Sequence, residues 1–533
     1  MQVVHESKVL ARFSNGHPQQ IELVCPHCLR EATFAPVAWH QHARLLAVAE
    51  ATCPRCAGDV MFLLKFDRHD EAVSPVLYID PPASGRELVA GVEHLRTLSG
   101  PLGRSYESAI KLYNHAEWAA AAITMRHFLD GLGKRLLATL DGLRGGQLVV
   151  RDALGTVVLG EAGGTLQAEL DILDPGFYRA AAASGSVGAG EAYMDGLWRC
   201  DDLVALVRLL VINRDRLDAM ETGLARLGGV AMRTLHAFNR NTRGGSRRNI
   251  AAHYDLGNDF FALFLSPDLM YSSAVFSGAG DSLETASRRK LDRICQQLQL
   301  QPGDRVVEIG TGWGGFALHA ARHYGAHVTT TTISREQHAL ASARIAEAGL
   351  QDRVTLLLED YRDLSGQYDK LVSIEMIEAI GHQYLDTYLA KCASLLKPEG
   401  LALIQAITIE DHRYEQALGS VDFIKRFIFP GSFIPCVSAL AGAAARASDL
   451  RLVNLEDIGP SYALTLRHWR ERFMGQLDEV RRQGYDERFI RMWEFYLCYC
   501  EGGFIERSIG DVHLLFARPG NRRPQYLPAP EAV

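Results

Sequence analysis

The chain has 533 residues, room for about two to four domains, and its 47% hydrophobic and 22% charged content is an ordinary globular balance. A formal net charge of −7 argues against a protein built to coat nucleic acid. No stretch approaches the roughly 18–20 apolar residues of a membrane span, and the mixed polar start MQVVHESKVLARFSNG is no signal peptide, so a cytoplasmic protein is expected.

Residues 1–80 read as a small β-rich unit, in which IELVCPHC and DVMFLLKF alternate or run apolar like strands. Cys25 and Cys28 are followed, after 24 residues, by Cys53 and Cys56. Two pairs of thiolates on tight knuckles give tetrahedral geometry with no open position, so a zinc ribbon with one structural zinc is expected. The six other cysteines stand singly or in apolar context and read as buried thiols. Residues 1–80 carry no dense basic patch with aromatics, so nucleic acid is not an expected partner. Pro81–Pro82 marks a boundary. Over 81–139 a helical module is predicted, with Tyr106, Ile110, Tyr113, Trp118, Ala122, Met125, Phe128, Leu132 and Leu136 in one stripe.

A small α+β domain is expected over 140–235. QLVVRD, GTVVLGE and TLQAELDIL are short strands with glycine turns, and DDLVALVRLLVINRDRL is the clearest helix after them. Between Thr222 and Tyr254 stand six arginines and no acid, and Asn239–Asn249 reads as a basic linker suited to anionic headgroups. The last domain, 236–533, changes pattern. RVVEI, HVTTTT, VTLLLE, LVSIE and LALIQAIT alternate with helical segments, which predicts an α/β, doubly wound parallel sheet.

The sharpest local signal is VVEIGTGWGG, where a strand ending at Glu308 runs into Gly310, Gly312, Gly314 and Gly315 and opens a helix. Glycine lets the backbone turn tightly and approach a ligand closely. A dinucleotide site would end its second strand with an acid for the ribose. This strand ends instead in Thr331, Thr332, Ile333 and Ser334. Glu378 follows the strand LVSIE, at the carboxyl edge where such sheets bind ligands.

Further segments fall in order around that loop: HYDLGNDFF (253–261), MYSSA (270–274), TISREQ (332–337), EDYRD (359–363), EMIEAIG (375–381), FIFPG (427–431) and RHWRERF (467–473). Together they resemble the family of cyclopropane-fatty-acyl-phospholipid synthases and mycolic acid methyltransferases, which are class I S-adenosylmethionine-dependent methyltransferases. The likeness covers 250–518 and, through GSVGAGEAYMDGLW (185–198), reaches back to about 140. It implies a Rossmann-like methyltransferase sheet preceded by the small α+β domain, with the zinc ribbon and helical module as additions.

The resemblance also implies roles. Tyr271 and Ser272 would contact the methionine end of the methyl donor, and Glu308, Gly310, Gly312 and Gly314 would form the loop beneath it. Thr332 and Gln337 would hold the ribose, and Asp360 and Tyr361 would flank the adenine. In the family a bicarbonate serves as the base that takes a proton from the alkylated chain. Glu378, Ile407 and Tyr462 match three of its binding positions, while Ser273 stands for a Cys, Gln405 for a His, and Ala379 for the His after the Glu. Gln405 cannot carry charge or titrate near neutrality. The pairing of EMIEAIG with QAIT resembles a subgroup that makes methylene or methyl branches, the latter with a partner reductase.

The expected function is transfer of a methyl or methylene group from S-adenosylmethionine to the double bond of an unsaturated fatty acyl chain of a phospholipid. The product is a cyclopropane or a branch. The protein would lie peripherally on the inner face of the membrane, with homodimerisation left open. Phe423–Phe429 (FIKRFIF) mixes apolar bulk with Lys425 and Arg426, as interfacial segments do. Two alternatives stay open: a methyltransferase on a soluble small molecule, and a non-catalytic sensor that binds the cofactor or lipid.

Overall fold

The computed structural model describes residues 140–215 and 256–522, except 141, 154 and 279, together with the strands between 2 and 79 and a few residues beside them. The helical module of 81–139 and the arginine-rich linker lie outside the described residues. The chain divides into two compact units, Met1–Ala90 with Tyr106–Met125, and Gly91–Ser105 with Arg126–Val533.

The first unit is built of antiparallel strands. Gln2–Val4, Val76–Ile79, Asp59–Lys65, Leu46–Thr52 and His40–Ala43 form one sheet in that spatial order. Val9–Arg12, Pro18–Val24 and Glu31–Phe34 form another. Ile21, Phe34, Val60 and Phe62 are fully buried, and the Phe34 and Phe62 rings meet edge to face at 5.7 Å, joining the two sheets.

The second unit begins with a four-stranded sheet, Gly155–Gly160, Gly146–Asp152, Leu166–Ile172 and Trp198–Cys200 in spatial order. Helix Gly176–Met194 breaks at Ser184–Gly185, where Gly185 takes φ +54°. Helix Leu203–Ile212 starts at Asp202, whose carboxylate accepts the Ala205 N–H. This small domain leans on the rest of the unit. Tyr193 O–H donates to Glu494 at 2.8 Å, and Arg488 pairs with Asp195 at 2.8 Å. A Cβ on Gly190 would lie 2.4 Å from the Phe423 ring, so only glycine fits there.

Seven strands make the main sheet: β1 Arg305–Ile309, β2 His327–Thr331, β3 Val354–Leu357, β4 Tyr368–Ile374, β5 Leu396–Ile409, β6 Arg451–Asp457 and β7 Ile509–Ala517. Their spatial order is β3-β2-β1-β4-β5-β7-β6. The first five pair in parallel, and β7 runs antiparallel to both its neighbours. The parallel part is the doubly wound arrangement the alternating pattern predicts. β6 and β7 are additions to that expectation.

Six helices matter to the site: α1 Leu283–Gln297, α2 Gly315–Tyr324, α3 Arg335–Glu347, α4 Leu385–Leu395, α5 Gly459–Gly475 and α6 Glu487–Ile505. Serine side chains start two of them: Ser282 accepts from Thr285 N–H for α1 and Ser334 from Gln337 N–H for α3. One face of the sheet packs on Leu291, Ile294, Phe316 and Ala320, the other on Tyr388, Leu389 and Cys392. Of the six single cysteines, Cys295, Cys392, Cys436 and Cys498 are buried as expected, while Cys200 and Cys500 are partly exposed.

Phe423–Phe429 turns inward more than its composition suggests. Phe423 is fully buried against Phe427 and Phe495, and Lys425 is buried with Nζ donating to the carbonyls of Ala417 and Ser420 at 2.6 and 2.9 Å. Only Arg426 of the segment is exposed. The cation expected at an interface therefore holds a loop together. No described helix is long and apolar enough to cross a membrane.

Candidate active site

The glycine loop lies at the carboxyl end of β1, the edge where parallel sheets bind ligands. Gly310, Gly312 and Gly314 have φ of +99°, +52° and +86°, a region that side chains rarely adopt. A Cβ on Gly312 would meet nothing within 4 Å, so open space stands over the loop. A Cβ on Gly315 would strike Met270 Sδ at 2.4 Å, which brings the 270–274 segment directly onto the loop.

That space is a cleft of about 1150 Å³, including its open mouth. Tyr271, Ser272, Glu308, Gly310 and Gly312 line it, as do Thr332, Gln337, Asp360 and Tyr361. Several of these side chains already have partners. Thr332 O–H donates to Gln337 Oε1 at 2.8 Å. The Asp360 carboxylate takes the Arg362 guanidinium at 2.6 Å. Tyr271 and Tyr496 share a hydrogen bond at 2.9 Å between their hydroxyls. Ser272 Oγ accepts from Lys290 Nζ at 2.6 Å. Gly314 stands apart from the lining residues, at the start of α2, where its left-handed φ makes the turn.

Glu308 sits under the loop, 2% exposed, and accepts the Thr330 hydroxyl at 2.6 Å. Thr330 in turn shares a hydrogen bond with Thr311 at 2.7 Å, so the acid is tied to the loop through two hydroxyls. Burial pushes its carboxyl up to about 8, against the Thr330 bond and the charge of Lys290.

The residues matched to the family's anion site separate into two groups. Glu378 Oε1 accepts the Ile407 N–H at 2.7 Å, and its Oε2 is buried with no hydrogen-bond partner among the described residues. Burial and the neighbouring Glu375 push Glu378 up to about 8. Ser273, Gln405 and Tyr462 instead converge on Glu375, which the residue roles implied by the sequence did not include. Its Oε1 accepts Ser273 N–H at 2.8 Å and Gln405 Nε2 at 2.7 Å, and its Oε2 accepts Tyr462 O–H at 2.7 Å. Burial raises Tyr462 well above its ordinary value, so it stays a donor.

Behind this cluster, Gln405 Nε2 also donates to Asp511 Oδ2 at 2.8 Å. With its N–H₂ committed to two carboxyls, Gln405 offers Oε1 to His513, whose Nε2 lies 3.3 Å away. Burial holds His513 down at about 3, so the ring is neutral. Lys290, fully buried, is the central cation; burial lowers its pKa while Glu375, Asp268, Asp511 and Glu308 oppose that. Asp511 and His513 lie two residues apart on β7, hence on one face. That spacing of polar residues inside an apolar strand was the available signal, and it needed the strand to be recognised first.

Aromatic rings close the other side. Tyr271 lies 5.2 Å from both Phe261 and Trp469 and 6.4 Å from Phe429, and Tyr462 stacks on Phe504 at 4.4 Å. Of these rings Tyr271 lines the cleft, and Phe261, Trp469 and Phe429 pack around it.

A doubly wound sheet in this order, a glycine loop with no ribose-binding acid on the next strand, and a cleft at the strands' carboxyl ends define a class I S-adenosylmethionine-dependent methyltransferase. Residues 241–514 match the mycolic acid cyclopropane synthetase family, and the chain belongs to it. The chain is 41% identical over 327 residues to the tuberculostearic acid methyltransferase UfaA1 of Mycobacterium tuberculosis, covering 60% of this chain and 76% of that one. It is 38% identical over 360 residues to the cyclopropane-fatty-acyl-phospholipid synthase of Escherichia coli, covering 67% and 89%. Among solved structures, the cyclopropane synthase MmaA2 from Mycobacterium tuberculosis is 28% identical and covers 51% of this chain and 98% of its own, with a TM-score of 0.48.

In the first unit Cys53 is buried, and its Sγ accepts the Arg55 N–H at 3.4 Å. Cys25, Cys28 and Cys56 lie outside the described residues, and no group of three or more metal-ligating side chains occurs among the described ones.

Proposed function

We propose that this enzyme transfers the methyl group of S-adenosylmethionine to the double bond of an unsaturated fatty acyl chain of a phospholipid, and that the product is a methylene branch for a partner reductase to saturate. The observation that carries this reading is the juxtaposition, in one cleft, of a glycine loop, Tyr271 packed against Trp469, and the buried carboxyl of Glu375, with Glu378 buried in its neighbourhood. The likeness to the tuberculostearic acid methyltransferase supports the choice of branch over ring.

The methyl donor is a co-substrate consumed at each turnover. Gly310 and Gly312 let it approach the backbone, Tyr271 and Ser272 face its methionine end, Thr332 and Gln337 its ribose, and Asp360 and Tyr361 its adenine. An alkene is a weak nucleophile, so the cleft must hold it in line with the methyl group and keep water from the electron-deficient carbon that results. The protein would meet its lipid at the inner face of the membrane, through the exposed Arg426 and the positive charge of the arginines between 226 and 248.

For the first unit we propose a structural zinc on Cys25, Cys28, Cys53 and Cys56. The buried Cys53 sulfur accepting an N–H two residues on is the geometry a knuckle needs.

The test is expression in a host without its own cyclopropane synthase, fed oleate, with mass spectrometry of the fatty acids. A chain one CH₂ heavier, whose fragmentation places an exocyclic methylene, is the expected product. A ring would overturn the branch, and no heavier chain from folded protein would overturn the lipid substrate.

A further inference from the structure

We propose that the Glu375 carboxylate is the built-in proton acceptor of this site and fills the donor set that a free anion would otherwise occupy. The inference rests on the alkene-methylating reading above and names a residue for it.

Three donors from three separate elements meet on this one carboxylate. Ser273 N–H comes from the segment after Tyr271, Gln405 Nε2 from β5, and Tyr462 O–H from α5, at 2.8, 2.7 and 2.7 Å. These are three of the groups to which the family resemblance assigns bicarbonate. Here a covalently attached carboxylate has taken them. A second, free anion would find these donors spent and a negative charge in its place.

The backbone is bent to achieve this. Glu375 has φ +45°, a left-handed conformation that a side-chain-bearing residue adopts only when its surroundings enforce it. Its N–H donates to the Gln405 carbonyl at 2.9 Å, so the residue that receives the carboxylate also fixes the turn that delivers it. Glu375 lines the same cleft as the glycine loop and Tyr271, which puts the carboxylate beside the reacting space and not in a remote core.

Charge around it is consistent. The groups that face it are Lys290, Asp511, Glu378, Tyr462 and, through Gln405, His513. Burial drives Asp511 far up and Glu378 to about 8, and His513 is neutral. Burial raises Glu375 too, and the Tyr462 bond, the Lys290 charge, the Ser273 N–H and a hydrogen bond with Asp511 oppose that, so its donors and the nearby cation favour the carboxylate form.

The chemistry closes without an outside base. The alkene π pair forms a bond to the methyl carbon as the S–CH₃ bond breaks and leaves its pair on sulfur. The neighbouring carbon becomes electron-deficient, and a hydride shift moves the deficiency to the methylated carbon. A C–H pair of the new methyl group then forms the exocyclic C=C, and its proton goes to Glu375. The carboxylic acid so formed returns the proton to water after product leaves. Were the C–H pair to close a ring instead, the proton would pass to the same oxygen.

The full chain is assayed with S-adenosylmethionine and oleoyl-phospholipid vesicles in buffer stripped of carbon dioxide, with and without added bicarbonate, as native protein, Glu375→Gly and Glu375→Gln. Bicarbonate binding to each is measured by calorimetry without substrate. Glycine suits φ +45°, so Glu375→Gly keeps the fold. Native protein is expected to neither bind nor require bicarbonate. Both variants are expected to lose activity on the order of 100-fold or more, as loss of a general base does. Glu375→Gly, with its donors open, is expected to bind bicarbonate and regain on the order of tenfold. Bicarbonate binding by native protein, with slowing when it is removed, overturns the proposal, as does a near-native rate in Glu375→Gln. If native protein yields no product at all, the alkene reading fails, while calorimetry still decides whether Glu375 fills an anion site.

Discussion

Replacing Glu308 by Gln should make the apoprotein more stable, by an amount that grows with pH. Glu308 is 2% exposed and burial raises its carboxyl from an ordinary 4.5 to about 8. Below pH 4.5 the acid is protonated whether the chain is folded or not, and costs nothing. Between 4.5 and 8 the unfolded chain releases the proton and the folded one keeps it, so stability falls as pH rises. Over the two and a half pH units up to 7 the cost is about 3 kcal/mol, and above pH 8 it levels near about 5 kcal/mol, at about 1.4 kcal/mol per unit. Gln cannot ionise, yet its amide oxygen still accepts the Thr330 hydroxyl. Urea unfolding of both proteins at pH 5, 6, 7 and 8 measures the difference. Trp198, Trp313, Trp469 and Trp493 lie in the same unit and report it by fluorescence. A stability gap that stays constant from pH 5 to 8, or a variant weaker than the native protein at pH 8, would show that Glu308 is ionised beneath the loop and refute the argument.

Gly312→Ala should keep the fold, since its Cβ meets nothing within 4 Å, at a cost of about 1 kcal/mol for the left-handed φ. The methyl should occupy space the donor needs, so calorimetry should record weaker S-adenosylmethionine binding by tenfold or more, about 1.4 kcal/mol. Gly190→Leu should destabilise by about 1–3 kcal/mol through overpacking on Phe423, read as a lower urea midpoint. Tyr462→Phe removes one of the three donors on Glu375 and should slow turnover on the order of tenfold or more while leaving S-adenosylmethionine affinity unchanged. Elemental analysis of the purified full chain should find one zinc per chain, lost on replacing Cys53 by Ser; a metal-free native protein would remove the zinc ribbon.

The five parallel strands were legible because each is a short apolar run between helical segments, and the glycine loop announced itself by composition. The likeness to a lipid-modifying family rested on ordered motifs and placed Tyr271, Gly312, Thr332 and Asp360 on one cleft. β6 was harder to read. Its segment RLVNLED is partly or fully exposed along its length, and Leu452 and Leu455 face solvent at an edge. The inner site was harder still. Glu375 stood in a quoted motif, but nothing in spacing says that Ser273, Gln405 and Tyr462 would turn to it and not to Glu378. That depends on a positive φ at one residue and on Asp511 and His513 arriving from the far end of the chain. Lys425 likewise follows an interfacial composition, yet carbonyls of the preceding loop satisfy its ammonium inside the protein.

The placing of β7 has a consequence for how this protein comes off the ribosome. It is the last strand of the sheet in sequence, yet it sits between β5 and β6. Until it emerges, both of those strands carry an unpaired edge, exposed to pairing with other chains. The same strand delivers Asp511 and His513, so Gln405 lacks two of its partners until that strand is made. A chain stopped short of Ile509 therefore loses the strand that joins β6 to the rest of the sheet, and the back of its active centre with it. Completion of the fold and completion of the chemistry are one late event.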